Sequence, residues 1–365
     1  MPNLIDYIKW RGDLSFKTHK FNEIDMLVLC QISYLNFDGL APAELKTGMT
    51  LSALWNALRA EPDFEKRADL GVMINPQTVD VFELAAKSER FENVRIAGYV
   101  NKIDIEREEQ FSAMTYFTEK ERKNPYVVFR GTDDTIVGWK EDFNMALSTD
   151  IPAQLDSIEY INNVAKSCHG KICTAGHSKG GNLAVYAACF MNDSYKKRLS
   201  VVYNFDGPGF TSKVRSTSAF DAVRSRIKSW YPYESIIGML FEHDDGYTVI
   251  ESSQKGVWQH DALSWQIEGR YFVTKPELDS KSIYFNRTFN TWLSKLPEQK
   301  LEKVIDAIFD VLAVTGARTN SELESDFFGN TRKIIKAIGS LDNDVRAEAG
   351  EFVKLLLDSA LSGRK

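Results

Sequence analysis

A serine between two glycines is the most chemically suggestive feature of this 365-residue sequence. Ser178 lies in Gly176-His177-Ser178-Lys179-Gly180, after a short apolar run and before an alanine-rich segment. This order predicts a strand, a tight turn that raises the serine, and a helix. Glycine is required at 176 and 180 because a Cβ there would crowd the strand and the helix. The Ser178 hydroxyl is therefore a candidate nucleophile, and the Lys179 amide at the helix start is a candidate oxyanion donor.

Further polar residues follow the other predicted strands. Apolar runs predict strands at Tyr126–Phe129, Ser200–Phe205, Ile227–Tyr231 and Thr248–Glu251, with helical patterns between them. Such alternation predicts an α/β fold whose mostly parallel sheet is covered by helices on both faces. In such sheets, ligands bind at the carboxyl ends of the strands. Arg130, Ser178, Asp206, Glu234 and the loop that carries His260 all follow strand ends in this way.

Three regions are predicted along the chain. Residues 1–92 are mostly helical, with helices after the N-cap Asn22, over Leu51–Leu58 and near Val79–Phe91. Residues 93–270 form the sheet domain, which starts with a hairpin of Arg95–Ile105 and Phe111–Glu119. Residues 271–365 form a helical subdomain that packs on the sheet domain or on a partner. In this tail we predict a helix whose apolar face begins at Leu301 and which Gly316 closes, a capping box at Thr319 and Glu322, and a last helix at Val345–Leu357.

The composition excludes several classes of function. The formal net charge is −6 and no basic stripe is present, which argues against a nucleic-acid partner. The four cysteines lack metal-ligand spacing, and Cys173 and Cys189 lie in apolar runs where buried thiols are expected. The N-terminus does not resemble a secretory signal, and no apolar run is long enough to span a membrane. We therefore expect a cytoplasmic protein without a metal or an organic cofactor.

Three stretches resemble the class 3 (fungal-type) lipases of the α/β-hydrolase group. They are Val128-Phe-Arg-Gly-Thr132 with Trp139-x-x-Asp142, then Gly176–Gly180, then His260-Asp-Ala-Leu-Ser-Trp265. The opening Asp6–Gly12, the segment Asp206–Phe210 and Gly256–Trp265 further resemble an uncharacterised family of bacterial lipase-like proteins. The resemblance implies an α/β-hydrolase fold and an ester-cleaving serine, but it supplies no substrate.

The resemblance also assigns roles to individual residues. Thr132 lies where such lipases have their second oxyanion donor, and Arg130 is expected to be structural, with Trp139 and Asp142 bracing the loop. His260 lies where the catalytic base is found, after the last strand, and His243 is its main competitor. His177, directly before the serine, is expected to point away from it. We expect the Lys179 side chain to be solvated.

The acid of the triad departs from the class 3 pattern. Those enzymes have an aspartate after the strand equivalent to Ile227–Tyr231, and here that place is taken by Ser235, preceded by Glu234. Asp206 ends the preceding strand, and its position resembles that of the acid in pancreatic-type lipases. We prefer Asp206 as the acid and retain Glu234 as the alternative. An aspartate before Gly207-Pro208 is also typical of a residue that caps a turn.

The predicted function is hydrolysis of a carboxylic ester through an acyl-enzyme on Ser178, with a small-molecule or lipid ester as substrate. Three alternatives remain. The same residues can act as an acyltransferase or thioesterase. They can also act as a peptidase, which the lipase-like motifs disfavour. The displaced acid also leaves open a catalytically silent hydrolase fold that serves as a binding module, docking through its helical tail.

Overall fold

The computed structural model of this chain describes most of the sequence up to position 314. The described residues are 2–71, 74–119, 123–133, 135–147, 150–243, 246–314, 333, 337, 339, 341–343 and 345–351. Gly316 and the predicted capping box at Thr319 and Glu322 lie outside them. Residues 345–351 of the predicted last helix are helical, and its remainder, 352–357, lies outside the described residues.

The described strands form one nine-stranded sheet and one small two-stranded sheet. The strands are β1 Met49–Thr50, β2 Arg95–Asp104, β3 Glu109–Phe117, β4 Tyr126–Phe129, β5 Ile172–His177, β6 Leu199–Phe205, β7 Ile227–Pro232, β8 Tyr247–Ile250, β9 Ile267–Glu268, β10 Tyr271–Phe272 and β11 Thr274–Lys275. The order in the large sheet is β1-β2-β3-β4-β5-β6-β7-β8-β11, and β9 pairs with β10.

The large sheet has a parallel centre and antiparallel edges. Strands β4 to β8 are parallel to one another, whereas the β1–β2, β2–β3, β3–β4 and β8–β11 pairs are antiparallel. The predicted hairpin and the predicted parallel strands are confirmed to within two residues at each end. Strands β1 and β11 were not predicted, because two-residue edge strands are too short to produce an alternating pattern.

Helices cover both faces of the sheet, as predicted. They are α1 Leu4–Arg11, α2 Glu23–Ile32, α3 Leu51–Ala60, α4 Phe64–Ala68, α5 Thr78–Lys87, α6 Ile136–Asn144, α7 Pro152–Ser167, α8 Lys179–Phe190, α9 Asp193–Lys196, α10 Ser212–Arg215, α11 Ser218–Arg224, α12 Ser280–Lys295 and α13 Glu298–Ala313. The side chain of Asn22 accepts from the amides of Ile24 and Asp25 at the start of α2, which confirms the predicted cap.

The alternation of side chains along the central strands divides the core into two layers. On β4, Val127 and Phe129 face one layer and Val128 faces the other. The layer with Val128 is shared with the N-terminal helices α1, α2, α3 and α5, and the other layer with α7 and α8. Burial of both faces explains why these strands are continuous apolar runs in the sequence.

The helices α12 and α13 belong to the same apolar layer as α7 and α8. Phe285, Phe289 and Trp292 of α12 and Leu301 and Ile305 of α13 are nearly fully buried in it. Leu301, Ile305 and Phe309 of the predicted apolar face are therefore turned toward the sheet domain, whereas Val304 packs with Val345 in a separate small cluster. The domain boundaries at 92 and 270 remain predictions, because the N-terminal and C-terminal helices share their cores with the sheet.

Candidate functional site

A single residue separates the central strand β5 from helix α8, and this residue is Ser178. Its backbone has φ +59° and ψ −136°, a conformation that is strained for a residue with a side chain. The neighbouring glycines allow the turn. A Cβ on Gly176 would lie 2.0 Å from the carbonyl carbon of Gly180, and one on Gly180 would lie 2.1 Å from the oxygen of Phe129. The crowding predicted at both positions is therefore present.

Two backbone segments meet at Ser178. The Lys179 amide occupies the first position of α8, where an α-helix provides no internal acceptor. The loop after β4 approaches from the other side, and a Cβ on Gly131 would come within 3.1 Å of the Ser178 Cβ. Thr132 follows in that loop, and its hydroxyl donates a hydrogen bond to Asp142 Oδ2. The two predicted oxyanion donors therefore belong to segments that flank the serine.

Asp206 and His260 are hydrogen-bonded to each other. Asp206 Oδ2 lies 2.6 Å from His260 Nδ1. The other oxygen, Oδ1, accepts a 2.6 Å hydrogen bond from the hydroxyl of Ser235. Asp206 is fully buried, and burial raises the pKa of its carboxyl group, although the hydrogen bond from His260 opposes this rise. Because Nδ1 faces the carboxylate, Nε2 is the nitrogen of His260 that remains available as a proton acceptor.

The two competing residues occupy other positions. Glu234 does not contact the imidazole of His260; its carboxylate accepts from the backbone amide of Gly256, at the start of the 3₁₀ segment Gly256–His260. Glu234 therefore anchors the loop that carries His260. His243 contacts Tyr231 instead, with 3.3 Å between its Nδ1 and the phenol oxygen.

His177 connects the serine turn to the loop of His260. Its Nε2 lies 2.9 Å from the carbonyl oxygen of His260, and its Nδ1 lies 2.8 Å from the hydroxyl of Tyr34. A carbonyl only accepts, so Nε2 carries the proton and Tyr34 donates to Nδ1. Burial lowers the pKa of His177 well below its usual value, and His260 adds to this effect. His177 is thus a neutral structural link, turned toward Tyr34 and the His260 backbone.

The side chain of Lys179 is buried, so the expectation that it is solvated was wrong. It is 1% exposed instead of solvated, and its Nζ lies 2.9 Å from both Glu141 Oε2 and the carbonyl oxygen of Gln110. Burial alone would lower the pKa of Lys179, but Glu141 and Asp142 outweigh it, so the pKa is raised. The positive charge is therefore held inside the protein and is not available to meet a substrate.

Asp142 lies at the wall of the site. Burial raises its pKa to about 6, against the lowering effects of Lys179 and of the Thr132 hydroxyl. The side chain retains 26% exposure. Arg130, by contrast, is 4% exposed and donates to Asn101 and Asp133, in agreement with a structural role.

A cavity of about 230 Å³ opens above the serine turn. Ser178 and His260 both line it, as do Thr132, Lys179 and Asp142. Most of its other lining residues are aliphatic or aromatic, and α12 and α13 contribute many of them. The arrangement places a candidate nucleophile, a histidine bonded to a buried carboxylate and two flanking amides around one apolar cavity, which is suited to acyl transfer.

Sequence reasoning missed three residues that support the site. Tyr34 holds His177, Ser235 holds Asp206, and Glu141 holds Lys179. Glu141 and Ser235 left signals in the sequence, since Glu141 precedes Asp142 of the Trp139-x-x-Asp142 motif and Ser235 takes the place of the class 3 aspartate, but neither contact was predicted. Among the described residues, no group of three or more histidine, cysteine, aspartate or glutamate side chains is arranged to hold a metal ion. All four cysteines are buried free thiols, as expected for Cys173 and Cys189.

The serine turn, the parallel sheet and the helices on both its faces define an α/β-hydrolase fold of the lipase-like class. The Mbeg1-like family model matches residues 85–310, which is more than half of the chain and includes every candidate site residue. The chain belongs to the Mbeg1-like family. No curated protein sequence matches it significantly.

Two solved lipase structures have low similarity to the chain. The crystal structure of M37 lipase is 14% identical, with a TM-score of 0.39, and the match covers 60% of this chain and 70% of that one. The Rhizomucor miehei lipase in its propeptide complex is 20% identical, with a TM-score of 0.31, and the match covers 45% and 58%. In the part of the chain that the structure describes, no helix has the length and hydrophobicity needed to cross a membrane.

Proposed function

We propose that the chain is a serine hydrolase that cleaves a carboxylic ester through an acyl-enzyme on Ser178. The observation that carries this proposal is the 2.6 Å hydrogen bond between Asp206 and His260, on a cavity that Ser178 also lines. In such a pair the buried carboxylate orients the imidazole and stabilises its protonated form. The acid is Asp206, and Glu234 positions the loop.

The reaction follows from these positions. His260 Nε2 takes the proton of Ser178 Oγ as the oxygen attacks the ester carbonyl, and the Lys179 and Thr132 amides stabilise the oxyanion. The tetrahedral intermediate collapses when the imidazolium of His260 protonates the leaving alcohol. Water then attacks the acyl-enzyme, again through His260, to release the acid and restore the serine. An acceptor other than water, or a thioester substrate, would use the same residues.

The silent-module alternative depended on the serine found where the class 3 pattern has its aspartate. The bond from Ser235 to Asp206 weakens that alternative, because position 235 now supports an acid supplied by the neighbouring strand. We further propose that the substrate is a small-molecule or lipid ester. Cytoplasmic location and bacterial origin remain predictions from the sequence.

The test is labelling with a fluorophosphonate probe together with hydrolysis of p-nitrophenyl butanoate. We expect wild-type protein to be labelled and active, and Ser178→Ala to lose both properties. Ser194→Ala changes an exposed serine of α9 and is the matched control, which should retain both. A folded wild-type protein that is neither labelled nor active would reject the hydrolase proposal and favour the binding module.

A further inference from the structure

The cavity at Ser178 is lined by a small polar group and a larger apolar group of residues. The polar group includes Ser178, His260 and Thr132. The apolar group includes six residues of the two C-terminal helices, which are Phe289, Trp292, Leu301, Val304, Ile305 and Ile308. All but Ile308 are nearly fully buried, so their side chains face the interior and not the solvent.

Lining residues from other elements are apolar as well. Met145 and Ala146 follow α6, and Leu240 and Phe241 come from the segment between β7 and β8. A charged or strongly polar group placed there would lose its hydration without gaining partners, whereas a hydrocarbon chain would gain free energy by leaving water. Trp258 also lines the cavity and is 56% exposed, so the cavity reaches solvent beside it.

We propose that helices α12 and α13 close an acyl-chain subsite, in which one unbranched hydrocarbon chain of the ester substrate lies. This proposal deepens, and rests on, the proposed hydrolase function. The volume sets the length of the chain. Since a cavity of roughly 150 Å³ accommodates a six-carbon ring, about 230 Å³ accommodates an acyl group of at most roughly eight to ten carbons, with the carbonyl carbon at Ser178 included.

The subsite predicts a chain-length dependence. Each methylene that enters the cavity should raise kcat/KM roughly fourfold, until the cavity is full. With p-nitrophenyl esters from two to sixteen carbons, we expect the rate to rise to about eight to ten carbons and then to fall. The class of ligand is therefore a medium-length acyl chain.

Two variants of α13 change the size of the subsite. Ile305→Phe adds volume at a buried lining position and should shift the optimum to shorter esters, with decanoate ester turnover falling at least tenfold more than butanoate ester turnover. Ile308→Ala removes volume and should shift the optimum to longer esters. Lys303→Phe introduces the same ring as the first variant on the exposed side of α13 and should keep the wild-type profile. Thermal unfolding of each variant checks that it is folded.

Binding is measured independently of turnover in Ser178→Ala. Calorimetric titration should show decanoate binding at least a hundredfold more tightly than butanoate, and adding Ile305→Phe should remove this difference. Decanoate binding with no Ser178-dependent hydrolysis of any ester supports the subsite and rejects the hydrolase function. Ser178-dependent hydrolysis with the same chain-length profile in Ile305→Phe and Lys303→Phe rejects the subsite and leaves the hydrolase function intact. Absence of both binding and hydrolysis rejects both.

Discussion

The buried ion pair between Lys179 and Glu141 allows a direct test of how the serine turn is stabilised. The two side chains are 1% and 0% exposed, and 2.9 Å separate their charged atoms. Lys179→Met keeps a side chain of similar length but removes the charge. Glu141 would then be a buried carboxylate whose remaining partners are the backbone amides of Gln110 and Ala153, at 3.0 and 2.9 Å.

The expected loss is large because an uncompensated buried charge is left behind. Breaking one partner of such a pair typically costs about 3–5 kcal/mol, out of a total stability of about 5–15 kcal/mol. At roughly 2 °C per kcal/mol for a chain of this size, the melting temperature should fall by about 6–10 °C.

A double-mutant cycle isolates the interaction. Glu141→Gln combined with Lys179→Met removes both charges, so the double variant should be more stable than Lys179→Met alone by about 1–2 kcal/mol. It should not reach wild-type stability, because a glutamine has one carbonyl oxygen with which to accept from two amides. Urea unfolding followed by tryptophan fluorescence measures all four proteins.

The control is an ion pair on the surface. Lys87 and Glu83 pair on α5 with 63% and 40% of their side-chain surfaces exposed, and such exposed pairs contribute well under about 1 kcal/mol. Lys87→Met should therefore change stability little. If Lys179→Met costs no more than Lys87→Met, the buried charge pair does not stabilise the turn, and the reasoning is wrong.

Three further predictions concern other parts of the site. Asp206→Asn should lower kcat by a factor of roughly 10³–10⁴, because His260 loses its carboxylate partner. Glu234→Gln should lower kcat much less. If esterase kinetics show the reverse order, Glu234 is the acid. Gly180→Ala should have a clearly lower melting temperature than wild type, since its Cβ would lie 2.1 Å from the Phe129 oxygen. A Cβ at Gly246 would have no atom within 4 Å, so Gly246→Ala should keep the wild-type melting temperature. Equal melting temperatures of the two variants would contradict the packing argument. Burial raises the pKa of Asp142 from 3.8 to about 6, so the folded state binds more protons than the unfolded state between these values and its stability falls as pH rises through them. Asp142→Asn lacks this titration, so its stability relative to wild type should rise between pH 4 and 6.5. If urea unfolding shows the same difference in free energy of unfolding between the two proteins at every pH, this prediction is wrong.

Local patterns were sufficient to predict the centre of the fold. The strands β4 and β5 are buried on both faces, so each is a short continuous apolar run with clear ends. The turn at Ser178 needs glycine on both sides for steric reasons, and this requirement is visible in five consecutive letters. Asp206 follows a strand next to β5, so its position near the site was predictable from the order of strands.

The side-chain environment of the site was less accessible to prediction. Lys179 was expected to be solvated because its partner Glu141 lies 38 residues earlier, on a helix whose distance from the turn depends on the whole sheet. Tyr34 and His177 are separated by 143 residues for the same reason. Long-range pairs of this kind leave no periodic signal in a single sequence. The apolar face of α13 was predicted, but not that part of it would line the cavity, since a core and a ligand site require the same residue types.

The bond between Ser235 and Asp206 has a consequence for how related chains are recognised. Asp206, at the end of β6, contacts the imidazole of His260, and Ser235, which follows the adjacent strand β7, contacts Asp206. A motif that demands an acidic residue after β7 would classify such a chain as inactive, although a carboxylate at the end of β6 contacts its histidine. Searches for catalytically inactive hydrolase folds should therefore consider acidic residues at both strand ends before a protein is classified as inactive.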